Sequence, residues 1–157
     1  MLDINFLLSG KAQFEIKNPS GDIYRFKVTV NNKRGRDGET NKDIFFVNCI
    51  NDADGVFKHT YMGHFKAKHY INQLNPGQKG INSEEKVVKV FKWAVNIIAG
   101  QIALPDGYSI NHIGKCGCCG RRLTDDFSKA IGLGPVCIKK TELSMKQLKL
   151  KTLLTLG

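Results

Sequence analysis

Four residues in the last third of the chain have the types and the spacing to hold a metal ion: His112, Cys116, Cys119 and Cys137. Cys116 and Cys119 are separated by two residues, so one tight turn can present two thiolates to the same ion, and Gly117 and Gly120 ease the backbone through it. Cys137 follows Gly134-Pro135-Val136, and proline is favoured in the first turn of a helix, which places the third thiolate at a helix start facing the knuckle. Three soft ligands leave a tetrahedral structural zinc one short. His112 lies just upstream, and neutral imidazole suits zinc, so the expected cofactor is Zn2+ held by His112, Cys116, Cys119 and Cys137. Cys118 is the competing fourth ligand. Adjacent cysteines rarely aim both sulfurs at one ion, however, and strand-like alternation turns Cys118 away from Cys119, which leaves a free thiol as its simpler role. A three-cysteine site with an open water position would point to catalysis. No Glu follows a ligand at the spacing that zinc-dependent deamination uses, and no other catalytic set is visible, so the chain is not expected to be an enzyme.

The surroundings of these residues are basic. Twenty-four Lys and Arg against fourteen Asp and Glu give a formal charge of +10, and the stretch from Asn111 to Gly157 holds nine of the basic residues and only three acidic ones. Such a balance favours polyanions or acidic protein surfaces. The expected contact residues are Arg121, Arg122, Lys139 and Lys140 beside the ligands, together with Lys33, Arg34 and Arg36 in a polar loop. Five cysteines, four of them crowded together, argue against a secreted disulfide framework and for metal binding in a reducing compartment. No run approaches the length of a membrane span, and Met1-Leu2-Asp3-Ile4-Asn5 has neither a basic leader nor a long apolar core. A cytoplasmic, unprocessed protein with no membrane partner is the expectation.

The elements that must position the ligands are legible in the hydrophobic pattern. Ala12, Phe14 and Ile16 alternate with polar neighbours, and Tyr24, Phe26, Val28 and Val30 repeat the alternation after Asn18-Pro19-Ser20-Gly21, which predicts a hairpin. A loop over 31–42 leads to a third strand from Ile44 to Ile50, and a fourth is expected from Phe57 to Phe65. After a connecting loop, Val87, Val90, Phe91, Ala94, Val95 and Ile98 form a helical stripe, with Ser83 as N-cap, Glu84 and Glu85 in the first turn and Gly100 at the stop. Trp93 lies off the middle of that stripe and reads as a packing residue at the edge of the sheet. The fold class is therefore α+β: an antiparallel sheet over 1–66, a loop and one packed amphipathic helix over 67–104, and a small zinc-ribbon or treble-clef-like module with a basic tail over 105–157.

The motif His-x-Gly-x-Cys-x-x-Cys-Gly-Arg-x-Leu-Thr, then Ser, then Gly-x-Gly-Pro-x-Cys, resembles that of small bacteriophage proteins grouped under a domain of unknown function. The residues that carry it are His112, Gly114, Cys116, Cys119, Gly120, Arg121, Leu123, Thr124, Ser128, Gly132, Gly134, Pro135 and Cys137. The opening Phe6-Leu7-Leu8-Ser9-Gly10-Lys11-Ala12, the later Tyr61-Met62-Gly63 and Phe91-Lys92-Trp93 are similar to the same proteins. The chain departs from the pattern at Cys118, where a basic residue is usual, and at Asp125-Asp126-Phe127, where a proline-containing turn is common. The resemblance implies an accessory protein of the host-cell cytoplasm, and the similarity of its zinc module to those appended to DNA-processing enzymes implies nucleic-acid contact by analogy.

Other features have plainer readings. Asp52-Ala53-Asp54-Gly55 lacks the later bidentate Glu of a calcium loop and reads as a polar turn. His59, His64 and His69 recur every five residues, which suits neither one strand face nor one helix face. Cys49 reads as a small buried hydrophobe, Gly132-Leu133-Gly134-Pro135 lacks the lysine of a phosphate-cradling loop, and the leucine-rich tail is expected to pack back on the monomer. Two functions remain: a basic, zinc-stabilised protein that binds nucleic acid (DNA or RNA), with Tyr24, Phe26, Phe45 and Tyr61 available for stacking, or an adaptor or inhibitor of a host defence or transcription protein complex.

Overall fold

A computed structural model describes residues 2–32, 38, 43–53, 56–67 and 74–138. The chain is α+β, built on a five-stranded antiparallel sheet ordered β4-β3-β2-β1-β5. Its strands are β1 (Lys11–Lys17), β2 (Ile23–Val30), β3 (Ile44–Ala53), β4 (Val56–Lys66) and β5 (Ser109–His112), and its helices are α1 (Ile4–Leu7), α2 (Lys86–Ile98) and α3 (Asp126–Ile131). The alternation of β1 and β2 sends Ala12, Phe14, Ile16, Phe26 and Val28 into the core, with Phe14 opposite Phe26. Their hairpin closes where Asn18 accepts from the Asp22 N–H at 2.8 Å and donates to its carboxylate at 2.9 Å.

One face of this sheet is covered by α2. Phe91 meets Phe26 at a ring-centroid distance of 5.3 Å and Phe14 at 6.4 Å, and Val88, Ala94, Val95, Ile97 and Ile98 are buried beside it. The buried stripe is turned slightly from the expected one, since Val88 and Ile97 are inside while Val87 and Val90 are only partly covered. The start of the helix also differs from expectation. Glu85, not Ser83, occupies the N-cap and makes no side-chain cap bond, and the Asn82 side chain accepts the Glu84 N–H at 3.0 Å in a turn that precedes the helix. Asn competes with Ser for such local backbone bonds, and here it wins two residues earlier. Trp93 is partly buried against the core, with Tyr108 edge-on at 5.3 Å.

A fifth strand was not expected. Ser109–His112 pairs with β1 from Lys17↔Ser109 to Phe14↔His112, so the residues leading into the cysteines extend the sheet instead of forming a separate start. The second unexpected feature is a β-bulge: Val47 pairs with Gly63 but Asn48 pairs with Tyr61, which leaves Met62 as the additional residue, buried in the core.

The cysteine-bearing segment is clamped to the N-terminal helical turn. Asp3 caps α1 by accepting the Phe6 N–H at 3.0 Å, and Phe6 is fully buried. A Cβ at Gly117 would stand 2.8 Å from the Phe6 ring, and a Cβ at Gly132, whose φ is +79°, would stand 2.6 Å from it. The Gly117 carbonyl accepts the Lys11 N–H at 2.6 Å, and the Gly132 carbonyl accepts the Gly117 N–H at 2.9 Å. Replacing Phe6 with Ala should therefore lower stability by about 3–5 kcal/mol, the usual cost of truncating a buried phenylalanine. Gly132→Ala should destabilise as well, through both its left-handed backbone and the Phe6 contact. Urea unfolding of the two variants checks this, and a wild-type midpoint in both would show that the clamp carries no stability.

Candidate metal centre

The knuckle is a short hairpin. Lys115 and Arg122 form an antiparallel bridge, the Cys116 N–H donates to the Arg121 carbonyl at 2.7 Å, and the Gly120 N–H donates to the Cys116 carbonyl at 2.9 Å. The chain then enters α3, where Asp125 caps by accepting the Ser128 N–H at 2.9 Å, and Gly132 ends it in a left-handed conformation. Residues 135–138 are helical, beginning at Pro135, so Cys137 sits in a first turn as expected. This helix-borne cysteine distinguishes the module from an all-strand ribbon.

The three segments bring Cys116, Cys119 and Cys137 together, with their sulfurs all within 4.8 Å of one another. Cys116 and Cys137 are buried and Cys119 is exposed. Sulfurs bound to one tetrahedral ion at about 2.3 Å stand roughly 3.8 Å apart, so the cluster could hold a metal ion. The module's own apolar core is small, comprising Cys116, Leu123, Leu133 and Cys137 with Cys118, Ile131 and Ile138 partly covered.

The protonation states are set apart within the cluster. Burial pushes the Cys116 thiol up, but the N–H groups of Cys119, Gly134 and Cys118 outweigh it and bring the group down to about 7. Two of these donors lie 3.3 Å (Gly134) and 3.4 Å (Cys118) from the sulfur. Cys137 moves the opposite way, well above the ordinary thiol range, because of burial, contacts with the Cys118, Cys116 and Cys119 side chains, and the charge on Cys116. One thiolate cradled by N–H dipoles beside one neutral thiol is the arrangement that a divalent cation converts to paired thiolates.

The structure does not bring His112 into this group. Its Nδ1 accepts the Gly114 N–H at 2.9 Å, its Nε2–H is directed at the Lys129 carbonyl, and its ring lies 6.0 Å from that of Phe6. With one nitrogen accepting and the other donating, neither offers a lone pair to an ion. The imidazole instead ties β5 to α3. Cys118 is half-buried, and its side chain interacts with that of Cys137, so it is not the free surface thiol that alternation implied.

The basic contact residues divide. Arg121 and Arg122 are exposed beside the cysteines. Lys33, Arg34, Arg36, Lys139 and Lys140 lie outside the described residues, as do His69 and the leucine-rich tail. The structure adds two lysines that sequence reasoning passed over. Lys115 and Lys129 line, with Arg122, an open cleft of about 620 Å³ with no carboxylate among its described lining residues. The available signal was the position of Lys115 immediately before the knuckle. A second cavity, of about 280 Å³, borders the three cysteines and is lined by Arg121, Thr124 and the 64 % exposed Val136. Among the stacking candidates, Phe26 and Phe45 are core residues and Tyr24 packs at the core's edge, which leaves Tyr61. Cys49 is buried, as its reading required, and burial raises its thiol first and foremost. Among the described residues no helix is long and apolar enough to cross a membrane.

Residues 111–141 match a family of unknown function, DUF6011. That span holds the whole cysteine motif, and the upstream similarities at Phe6–Ala12, Tyr61–Gly63 and Phe91–Trp93 lie outside it. No curated protein and no solved structure matches the chain significantly.

Metal affinity should rise with pH between 6 and 8, by roughly tenfold per pH unit for each proton displaced. Cys137 is protonated throughout this range and always loses a proton on loading. Cys116, at about 7, adds a further proton below neutrality, so the dependence should be steeper below pH 7 than above it. Competition titration with a chromogenic chelator measures this, and an affinity indifferent to pH would remove the thiols from the site. His112→Ala should retain the metal, while Cys116→Ser and Cys137→Ser should lose it.

Proposed function

We propose that this chain is a zinc-stabilised nucleic-acid-binding protein of the bacteriophage accessory type that its motif resembles, acting by binding and not by catalysis. Zinc is the metal of choice for a cluster of three cysteines on a knuckle and a helix turn, because thiolate ligands select it and it brings no redox chemistry of its own. Cys116, Cys119 and Cys137 would hold it, and the ion would lock the knuckle to the helix behind it. The observation that carries the nucleic-acid reading is the cleft beside that knuckle, where Lys115, Arg122 and Lys129 converge with no acidic residue among the described lining. A net charge of +10 adds long-range attraction for a polyanion.

Each phosphate neutralised by Lys or Arg releases a counterion, so log affinity should fall with log salt at a slope of about 0.7 to 0.9 per contact. Fluorescence anisotropy with labelled DNA and RNA at two salt concentrations measures that slope. Arg122→Glu combined with Lys129→Glu should weaken binding at every sequence tested and flatten the salt dependence, with the zinc content unchanged. No binding at low salt to DNA or RNA, with recovery of one partner protein after nuclease treatment, would replace this reading with that of an adaptor for a host protein complex.

A further inference from the structure

The face of the sheet opposite α2 is not covered by any described element. The strand alternation that buries Phe45, Val47 and Cys49 sends Phe46, Asn48 and Ile50 to this face, and the register places Tyr61 across from Asn48 and His59 across from Ile50. Phe57, two residues before His59 on the same side, is 57 % exposed. Cores take up aromatic residues readily, so an aromatic ring held out on a strand face with apolar alternatives available is the informative case.

These rings are set among cations. The Arg25 guanidinium lies 5.7 Å from the centroid of the Phe57 ring and bonds to Glu15 at 3.1 Å, which holds the ring and the cation together. Phe46 and Tyr61 stand side by side at 6.3 Å. A shallow cavity of about 640 Å³ runs over this surface from Phe57 and His59 past Arg25 and Lys27 to Ile113 and Lys115. Ile113 and Lys115 also line the basic cleft of the cysteine module, so the two depressions adjoin at these residues. Among the described lining residues Glu15 carries a carboxylate, and it is paired with Arg25.

The geometry points to this uncovered face as a platform for single-stranded nucleic acid, with Phe57 and Tyr61 stacking on bases and the backbone led across Lys27 toward Lys115 and Arg122. The inference rests on the nucleic-acid reading of the cysteine module and adds the strandedness and the residues that decide it. A duplex keeps its bases stacked on one another and offers these rings only sugar and phosphate. A single strand offers free base faces, and stacking on them tolerates any sequence.

The test uses the full zinc-loaded chain and labelled oligodeoxythymidine, oligouridine and a mixed-sequence duplex, read by anisotropy. The wild type should prefer the single strands. Phe57→Ala should weaken single-strand binding roughly tenfold while leaving duplex binding nearly unchanged, and Phe57→Tyr should restore it. Tyr61→Ala should act in the same direction, and the unfolding midpoint of each variant shows that the sheet is intact. Tight duplex binding in preference to single strands would overturn the inference, as would single-strand affinity indifferent to both substitutions. If oligonucleotides bind and respond to Arg122→Glu but not to Phe57→Ala, the function stands and the platform falls. If nothing binds at low salt, both fall.

Discussion

The contact between Phe6 and the two glycines of the cysteine module is the constraint on which the rest of the structure depends. Among the described residues the module has a small core, and its cysteines come from segments separated by seventeen residues, from Cys119 to Cys137. Two closures bring those segments together. One is the approach of the three sulfurs, which a metal would make permanent. The other is the seat on α1, where only glycine lets Gly117 and Gly132 come within contact of a fully buried ring. Since Gly117 also bonds to Gly132 and to Lys11, the clustered cysteines, the N-terminal turn and the first strand form one mechanical unit. A metal held there would be coupled to the stability of the sheet and not to that of the module alone.

His112 is better understood within this unit than as a ligand. It stands at the last position of β5, opposite Phe14, and its ring touches Phe6 while its two nitrogens hold the backbone at Gly114 and Lys129. A side chain that satisfies two backbone groups at the join between sheet and module fixes the knuckle relative to β5 and α3. The spacing that made it look like a ligand is the same spacing that places it at this join.

Much of the architecture was legible because it depends on local pattern. The period-two alternation of Phe14, Ile16, Phe26 and Val28 and the 3.6-residue stripe through Phe91 and Val95 are read directly from the chain, and Cys116, Cys119 and Cys137 are defined by turn and helix chemistry at short range. The parts that were missed are set by tertiary contact. Ser109-Ile110-Asn111-His112 has one apolar residue in four and becomes a strand because β1 has a free edge to pair with. The place of His112 outside the cysteine cluster is set in the same way, since nothing in the sequence shows that Lys129 and Gly114 will engage both imidazole nitrogens. The half-buried ring of Phe46 and the exposed ring of Phe57 could not be separated from core phenylalanines by composition alone. Phe26 and Phe45 were placed on the wrong side of that division, although the parity of Phe45 against Val47 and Cys49 was there to be read.

The bulge at Met62 explains how a chain with an irregular histidine spacing produces a coherent surface. His59 and His64 are five residues apart, so in a regular strand they would face opposite sides. The additional residue resets the alternation: His59 lies across from Ile50 and His64 across from Phe46, and both partners belong to the uncovered face. Tyr61 faces this side and Met62 the core, as alternation requires, and the next residue, Gly63, pairs with Val47 and is buried too. Were the strand paired one to one with no bulge, Met62 would stand across from Val47 and His64 across from Phe45, burying His64 and exposing Phe65. The bulge therefore does for β4 what alternation does for β2 and β3: it keeps the apolar set under α2 and delivers the polar and aromatic set to the face that leads into the basic cleft.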